Sequence, residues 1–309
     1  MRFLLCLAIG VFAPAQPVAR SAIVMSVWYN GPGAQPLSPR AGVPDDVVRK
    51  DLAAMRSAGF NAITTSIAWR DGEPRPGVFD FTHLERLVGL ASDADLGVQI
   101  EVDTEREPAW KNATTNAVAA EFWERVRAES ARWPAVIDVR RAIPIASADP
   151  SRVRVGLGGA ASTPRRARLE IWTAIANGKR QVSLVDERGP LSAELLAVGE
   201  TAGVLTRNQA LFAPLRPRVR DNLVRVQPGG GVVGHILESP DAILIVALNH
   251  SDRTRRVKLT FPSDLPEAIW QNMEAGNAVN FVVSAEGPYY EHTFAPEDAL
   301  VLAIRKRLR

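Results

Sequence analysis

Asp51-Leu52-Ala53-Ala54-Met55-Arg56-Ser57-Ala58-Gly59-Phe60-Asn61-Ala62-Ile63-Thr64-Thr65-Ser66-Ile67-Ala68-Trp69 carries the decision about the fold. Leu52, Met55 and Ala58 fall at helical spacing, and Gly59 stops the helix. Asn61 to Trp69 then reads as a strand. Upstream, Pro44-Asp45-Asp46 opens the same helix with acids in its first turn, and Val47 and Val48 extend its apolar face. Further upstream, Ala22 to Trp28 is an apolar strand ended by the turn-rich Tyr29-Asn30-Gly31-Pro32-Gly33. Downstream come a helix over Phe81 to Leu90 and a strand over Gly97 to Val102. A helix over Asn116 to Trp133, with Val118, Phe122, Val126 and Ala131 as its stripe, and a strand over Ala135 to Val139 follow. Strands alternating with helices imply parallel βαβ units.

The pattern changes twice after that. Arg140 to Pro164 is rich in proline, alanine and arginine, with one short apolar run, Val153-Arg154-Val155-Gly156-Leu157. Thr163 then caps a helix that has Pro164 at its first position and carries Leu169, Trp172, Ile175 and Ala176. Gln181 to Val185 is a strand, and Leu191 opens a helix running to about Phe212. From Asp221 onward only strands follow: Val232–Leu237, Ala242–Leu248, Thr254–Phe261 and Ala299–Ile304. The expected architecture is α/β, an incomplete (β/α) barrel of the TIM type followed by a small antiparallel β-sandwich. The expected boundaries are a leader at 1–19, the partial barrel at 20–212, a proline-rich linker at 213–220 and the sandwich at 221–309.

The 309 residues carry 37 basic and 34 acidic side chains, so the charges nearly balance. That balance excludes a disordered acidic or basic tail protein. Nucleic acid is not an expected partner, because the only dense basic run is Arg305-Lys306-Arg307-Leu308-Arg309. Met1-Arg2, the apolar Phe3 to Phe12 and the small-residue site Ala13-Pro14-Ala15 read as a signal peptide, too short to span a bilayer. Export to the periplasm or medium is therefore expected, with a mature start at Gln16 or Arg20. The single cysteine, Cys6, lies in that leader, so thiol chemistry is not expected of the mature chain.

Residues 43–110 resemble the first part of a clan-A glycoside hydrolase barrel, and among these the microbial β-galactosidases of glycoside hydrolase family 42. Asp51 to Asn61 resembles that family's first helix and the turn into its second strand. Trp69 with Glu73-Pro74-Arg75-Pro76-Gly77-Val78-Phe79-Asp80-Phe81 resembles its second strand tip and the turn that follows. Pro108-Ala109-Trp110 continues the likeness, and Leu169 to Gly178 resembles its seventh helix. The resemblance implies an active site at the strand C-terminal ends, a β-glycoside as substrate and a retaining mechanism. That mechanism needs two carboxyls roughly 5 Å apart, one acid/base and one nucleophile. The family carries these as glutamates at the tips of its fourth and seventh strands.

This chain departs at both tips. Ile143 precedes Pro144 where the acid is expected, and Leu157 stands where the nucleophile is expected. Neither side chain carries a proton or attacks an anomeric carbon. A full barrel takes about 250 residues, and the short stretch between Pro144 and Arg152 leaves no room for a fifth and sixth strand with their helices. The barrel thus lacks its middle, through natural loss or through a deletion in the gene model. A β-galactosidase-like protein with impaired hydrolysis is the expected function. The alternatives are a non-catalytic carbohydrate- or partner-binding protein and a structural envelope module.

Glu101 and Glu105 are the candidate replacement carboxyls, sharing a face with Asp103 if the third strand persists. A solvated loop is the ordinary reading of such a cluster. Trp69, Arg70 and Trp110 are the candidate sugar-binding residues, since an indole stacks on a sugar face and a guanidinium bonds hydroxyls. His83, His235, His250 and His292 show no metal-ligand spacing, and no metal or cofactor is expected. Gly156-Leu157-Gly158-Gly159 lacks the pattern of a phosphate cradle, and neither Ser162 nor Ser192 has an identifiable triad partner.

Overall fold

The computed structural model describes residues 23–30, 43–111, 118–142, 152–157, 163–186, 192–218, 224–266 and 269–306. Six strands form one parallel sheet: β1 (Val24–Trp28), β2 (Ala62–Ala68), β3 (Gly97–Asp103), β4 (Val136–Arg141), β5 (Arg152–Leu157) and β6 (Gln181–Asp186). Between and after them lie α1 (Asp45–Ala58), the single turn α2 (Trp69–Gly72), α3 (Thr82–Asp93), α4 (Val118–Ser130), α5 (Pro164–Ala176), α6 (Ala193–Arg207) and the short α7 (Gln209–Phe212). Thr163 caps α5 by accepting the Arg166 amide at 3.2 Å, as its sequence suggests. Gly59 ends α1 at φ 112°, and a Cβ there would lie 2.6 Å from the Gly203 backbone of α6. Only glycine tolerates both that conformation and that approach.

The sheet order is β4-β3-β2-β1-β6-β5. Read from the other edge it is β5-β6-β1-β2-β3-β4, so every helical connection steps one strand in the same direction. Right-handed crossovers of one direction place all helices on one face. A doubly wound sheet reverses direction midway, and this one does not. Accordingly α5 packs on α6, α6 on α1 and α1 on α3. This is the cyclic order of a (β/α) barrel in which two βα units between β4 and β5 are missing, as the sequence implies.

The sheet is nevertheless curled. Flat, β3 and β5 would lie about 19 Å apart across four strand spacings. Yet Glu101 of β3 forms ion pairs with Arg152 and Arg154 of β5, the latter at 2.5 Å. Arg140 of β4 likewise reaches Gln181 of β6 at 2.7 Å. The outer face of the strands, Ile63, Ile67, Val98, Ile100, Val182 and Leu184 among others, packs on the helices in the main core. The inner face carries Ser26, Thr64, Gln99 and Ser183, whose side chains hydrogen-bond to one another at 2.7–3.2 Å.

The remaining strands are antiparallel. One sheet joins β7 (Arg216–Pro217), β9 (Val232–Glu238), β10 (Ala242–Asn249), β12 (Trp270–Asn272), β13 (Ala278–Val279) and β16 (Asp298–Arg305). The other joins β8 (Arg225–Gln227), β11 (Arg255–Thr260), β14 (Val282–Ser284) and β15 (Gly287–Phe294). The continuous apolar run of β10 follows from burial on both faces. Leu244, Val246 and Leu248 join the barrel's core, while Ile243, Ile245 and Ala247 face the second sheet. The junction is also ionic: Glu274 accepts Arg168 Nε at 2.8 Å, Trp172 Nε1 at 2.9 Å and Thr201 Oγ1 at 3.1 Å. Arg168 further bonds Asp298 at 2.7 Å. Arg216 and Pro217, inside the expected linker, pair with Glu238 and Leu237 of β9 as the first strand of the sandwich.

Some expectations of burial are corrected. Val47 of α1 is exposed and Asp51 is buried instead, its carboxylate accepting Tyr29 Oη at 2.9 Å. Burial raises the pKa of Asp51, and burial beside Asp51 raises that of Tyr29. Ala131 lies exposed beyond the end of α4, while Phe122 and Val126 are buried as expected. The leader, Ile143, Ser162 and the last three residues lie outside the described residues.

Candidate functional site

The C-terminal ends of the six strands form the barrel mouth, where a (β/α) barrel carries its chemistry. At the tip of β2, the Glu73 to Phe81 run folds into a tight turn. Glu73 is buried, and its carboxylate accepts Trp69 Nε1 and the Gly77 amide, each at 2.7 Å. Gly77 holds φ 71°, which brings its N–H back onto that carboxylate. The Glu73 carbonyl accepts Trp110 Nε1 at 2.8 Å. Trp69 packs edge-on to Trp110 and stacks on Phe122. The most distinctive run of the sequence is thus a structural clasp, and Glu73 is spent in holding it.

Of the expected sugar platform, the place of Trp69 is corrected by this packing, while Trp110 stays half-buried. Trp69 is fully buried and presents no open face, and Trp110 is anchored edge-on against it. Arg70 is exposed, its guanidinium 3.6 Å from Asp71.

The expected carboxyl pair is also not assembled. Strand β3 ends at Asp103, whose Oδ1 accepts the amides of Glu105 and Arg106 at 3.0 and 3.2 Å. The chain turns there, so Glu105 leaves the strand face and lies exposed. Glu101 stays on the inner face, 1% exposed, held by Arg152 and Arg154. Asp138 pairs with Arg140, Asp103 with Arg106 at 3.3 Å, Glu107 with Lys111, and Asp186 accepts the Ser192 hydroxyl. Leu157 points outward into the helix-packed core, and Gly156 holds the inward position beside it.

Sequence reasoning missed Trp28, Asn30, Ser66, Arg152 and Arg154. Arg154 lies over the Trp28 ring, 5.1 Å from its centroid, on the inner face. The alternation Ser26, Trp28 in β1 and Arg152, Arg154 in β5 was the available signal. Among the described residues, no three His, Cys, Asp or Glu side chains gather closely enough to hold a metal ion. Nor is any helix among them long and apolar enough to cross a membrane.

A partial parallel barrel carries an antiparallel sandwich docked on its helices. The structure is similar to the maltogenic α-amylase AmyB from Thermotoga neapolitana, with a TM-score of 0.60 at 11% identity over 93% of this chain and 99% of that one. It is also similar to a family 39 glycoside hydrolase from Bacteroides cellulosilyticus, with a TM-score of 0.58 at 9% identity over 92% of this chain and 82% of that one.

The family described as β-galactosidase, glycoside hydrolase family 42, matches residues 39–133. β-Galactosidase BgaB of a Geobacillus strain is 31% identical over 68 residues, 22% of this chain and 10% of that protein. β-Galactosidase BbgII of Bifidobacterium bifidum is 29% identical over 92 residues, 29% of this chain and 13% of that protein. The likeness to family 42 is confined to residues 39–133, and the chain spans only about a tenth of the length of these curated relatives.

Proposed function

We propose that this protein is an exported, glycosidase-like carbohydrate-binding protein that does not hydrolyse β-galactosides. One observation carries the reading: Glu101, Asp103, Asp138 and Asp186 at the described mouth already have a cation, a hydroxyl or a turn amide as partner, and Glu105 lies exposed off the strand face, away from Glu101. Retaining hydrolysis needs two carboxyls facing each other about 5 Å apart with one free to move a proton. Glu101 between two guanidiniums has neither the freedom nor a facing partner. The carbohydrate assignment is supported by the family 42 match and by the glycosidase plan of the barrel.

The test is turnover of 4-nitrophenyl β-galactoside by the purified mature protein. Loss of both mechanistic carboxyls removes nucleophile and acid together, so only trace release of nitrophenol is expected. Robust turnover that Glu101→Gln abolishes would overturn the reading and make Glu101 catalytic. Export rests on the apolar run from Phe3 to Phe12 and the small residues after it. Amino-terminal sequencing of protein recovered from periplasm or medium is expected to begin at Gln16 or Arg20, and an intact Met1 in the cytoplasm would overturn that part.

A further inference from the structure

Three polar atoms at the mouth find no partner among the described residues: Trp28 Nε1, Asn30 Nδ2 and Ser66 Oγ. Their residues are 9%, 5% and 0% exposed, so bulk water does not satisfy them. Buried polar atoms in folded proteins are ordinarily paired, and an unpaired one calls for a specific explanation.

The three belong to one contiguous patch. Asn30 Oδ1 accepts the Ser66 amide at 3.3 Å and the Thr65 hydroxyl at 2.8 Å, which sets its amide group beside Ser66. Ser66 is the ladder neighbour of Glu101. Glu101 holds Arg154 at 2.5 Å, and Arg154 lies over Trp28. The patch therefore joins the C-terminal ends of β1, β2 and β3 to β5 across the lumen.

Apart from the Glu101 carboxylate, which its two arginines occupy, the patch is rich in donors. An indole N–H and an amide NH₂ only donate, and a serine hydroxyl does either. The Arg154 side chain is 21% exposed and brings further N–H donors. Two guanidiniums share one carboxylate here, which leaves a surplus positive charge. Arg152 keeps Glu101 paired when Arg154 turns to a second anion. A donor-rich patch with surplus positive charge complements an acceptor-rich, negatively charged group, and a guanidinium binds a carboxylate in a planar fork.

We propose that the barrel mouth recognises an acidic sugar, with Arg154 bonding its carboxylate and Trp28 Nε1, Asn30 Nδ2 and Ser66 Oγ bonding the carboxylate or adjacent ring and hydroxyl oxygens. The assignment rests on the carbohydrate reading above and narrows it from neutral galactosides to uronate-type residues.

The experiment is calorimetric titration of the folded full chain with D-galacturonate, D-galactose and acetate. Galacturonate is expected to bind about tenfold or more tighter than galactose, as one charge-assisted bidentate contact provides. Acetate is expected to bind far more weakly than galacturonate. Arg154→Gln is expected to erase the preference for the acid, and Trp28→Phe, which keeps the ring, to weaken galacturonate binding several-fold. Equal affinity for galacturonate and galactose would overturn the acidic assignment and leave the carbohydrate reading standing. Acetate binding as tightly as galacturonate would mark a bare carboxylate site and overturn the sugar. Silence from all three with folded protein would overturn both readings. A preference that survives Arg154→Gln, or galacturonate binding untouched by Trp28→Phe, would show that these residues are not the site.

Discussion

The barrel lumen and the interior of the sandwich bury polar groups in opposite ways. In the lumen, charges are kept and paired: Glu101 lies between Arg152 and Arg154, above the mutual hydrogen bonds of Ser26, Thr64, Gln99 and Ser183. Between the sandwich sheets, Ile243, Ile245, Val257, Leu259, Trp270 and Leu302 form an apolar layer. His292, packed beside Tyr290 and Phe294 on the inner side of the second sheet, is driven toward neutrality, because burial lowers its pKa. The difference follows from geometry. A sandwich is filled by two apolar faces meeting, so polarity survives there only when discharged. A six-stranded curl brings the polar inner faces of opposite strands within bonding distance, so polarity survives there by pairing.

The sharpest way to break this comparison is Glu101→Ala. It leaves the buried Arg152 and the half-buried Arg154 guanidiniums without their counter-ion, and a loss of about 3–5 kcal/mol in urea unfolding is expected. A loss under about 1 kcal/mol would mean that water, not pairing, satisfies the lumen.

Glu73→Ala probes the other buried glutamate of the barrel, which has neutral partners. Stranding the Gly77 amide and the Trp69 indole is expected to cost about 1–3 kcal/mol and to change the near-ultraviolet dichroism of the Trp69 cluster. A cost equal to that of Glu101→Ala would erase the distinction between charged and neutral partners. Gly77→Ala sharpens the point, because no atom lies within 4 Å of a Cβ placed there. Only the positive φ resists the change, so about 1 kcal/mol is expected in thermal unfolding.

The gentlest test is acid. Burial acts first in lowering the pKa of His235, His250 and His292, joined by His250 at His235 and by Arg166 at His250, and opposed by Asp298 at His292. Their folded pKa values lie below the unfolded value of about 6.5, so the unfolded chain binds more protons below that pH. The stability they contribute is complete above about pH 6.5 and declines as the pH falls through the folded values. Melting temperatures measured from pH 7 to 5 should fall, and His→Gln variants at these three positions should flatten the decline.

The parallel half was readable because its signals are local. Leu52, Met55 and Gly59 define a helix and its end within one stretch, and Ile63 and Ile67 mark a strand without reference to anything distant. The Glu73 to Phe81 run was readable as a family turn, but its carboxylate's role was not, because the Gly77 amide meets it only in three dimensions. The lumen was hidden for a related reason. Arg152 and Arg154 lie in a stretch that reads as polar filler, and nothing local says that they meet Glu101 across the sheet. β15 escaped notice because Tyr289 to Thr293 faces a half-wet sheet side and lacks an apolar run. Asp51 defied its helix pattern because its partner, Tyr29, arrives from β1.

The pairing of β1 with β6 has a consequence in time. Ser26 and Ser183 touch across 157 positions of sequence, whereas β1 and β2 join within a few tens. Contacts at such separation slow the search for the native state far more than they weaken it. The first four strands therefore complete their ladders while one edge of β1 still waits, and the sheet is finished only when β6 arrives. The arrival of β6 and β5, not the stability of the earlier strands, sets the earliest moment at which the lumen exists.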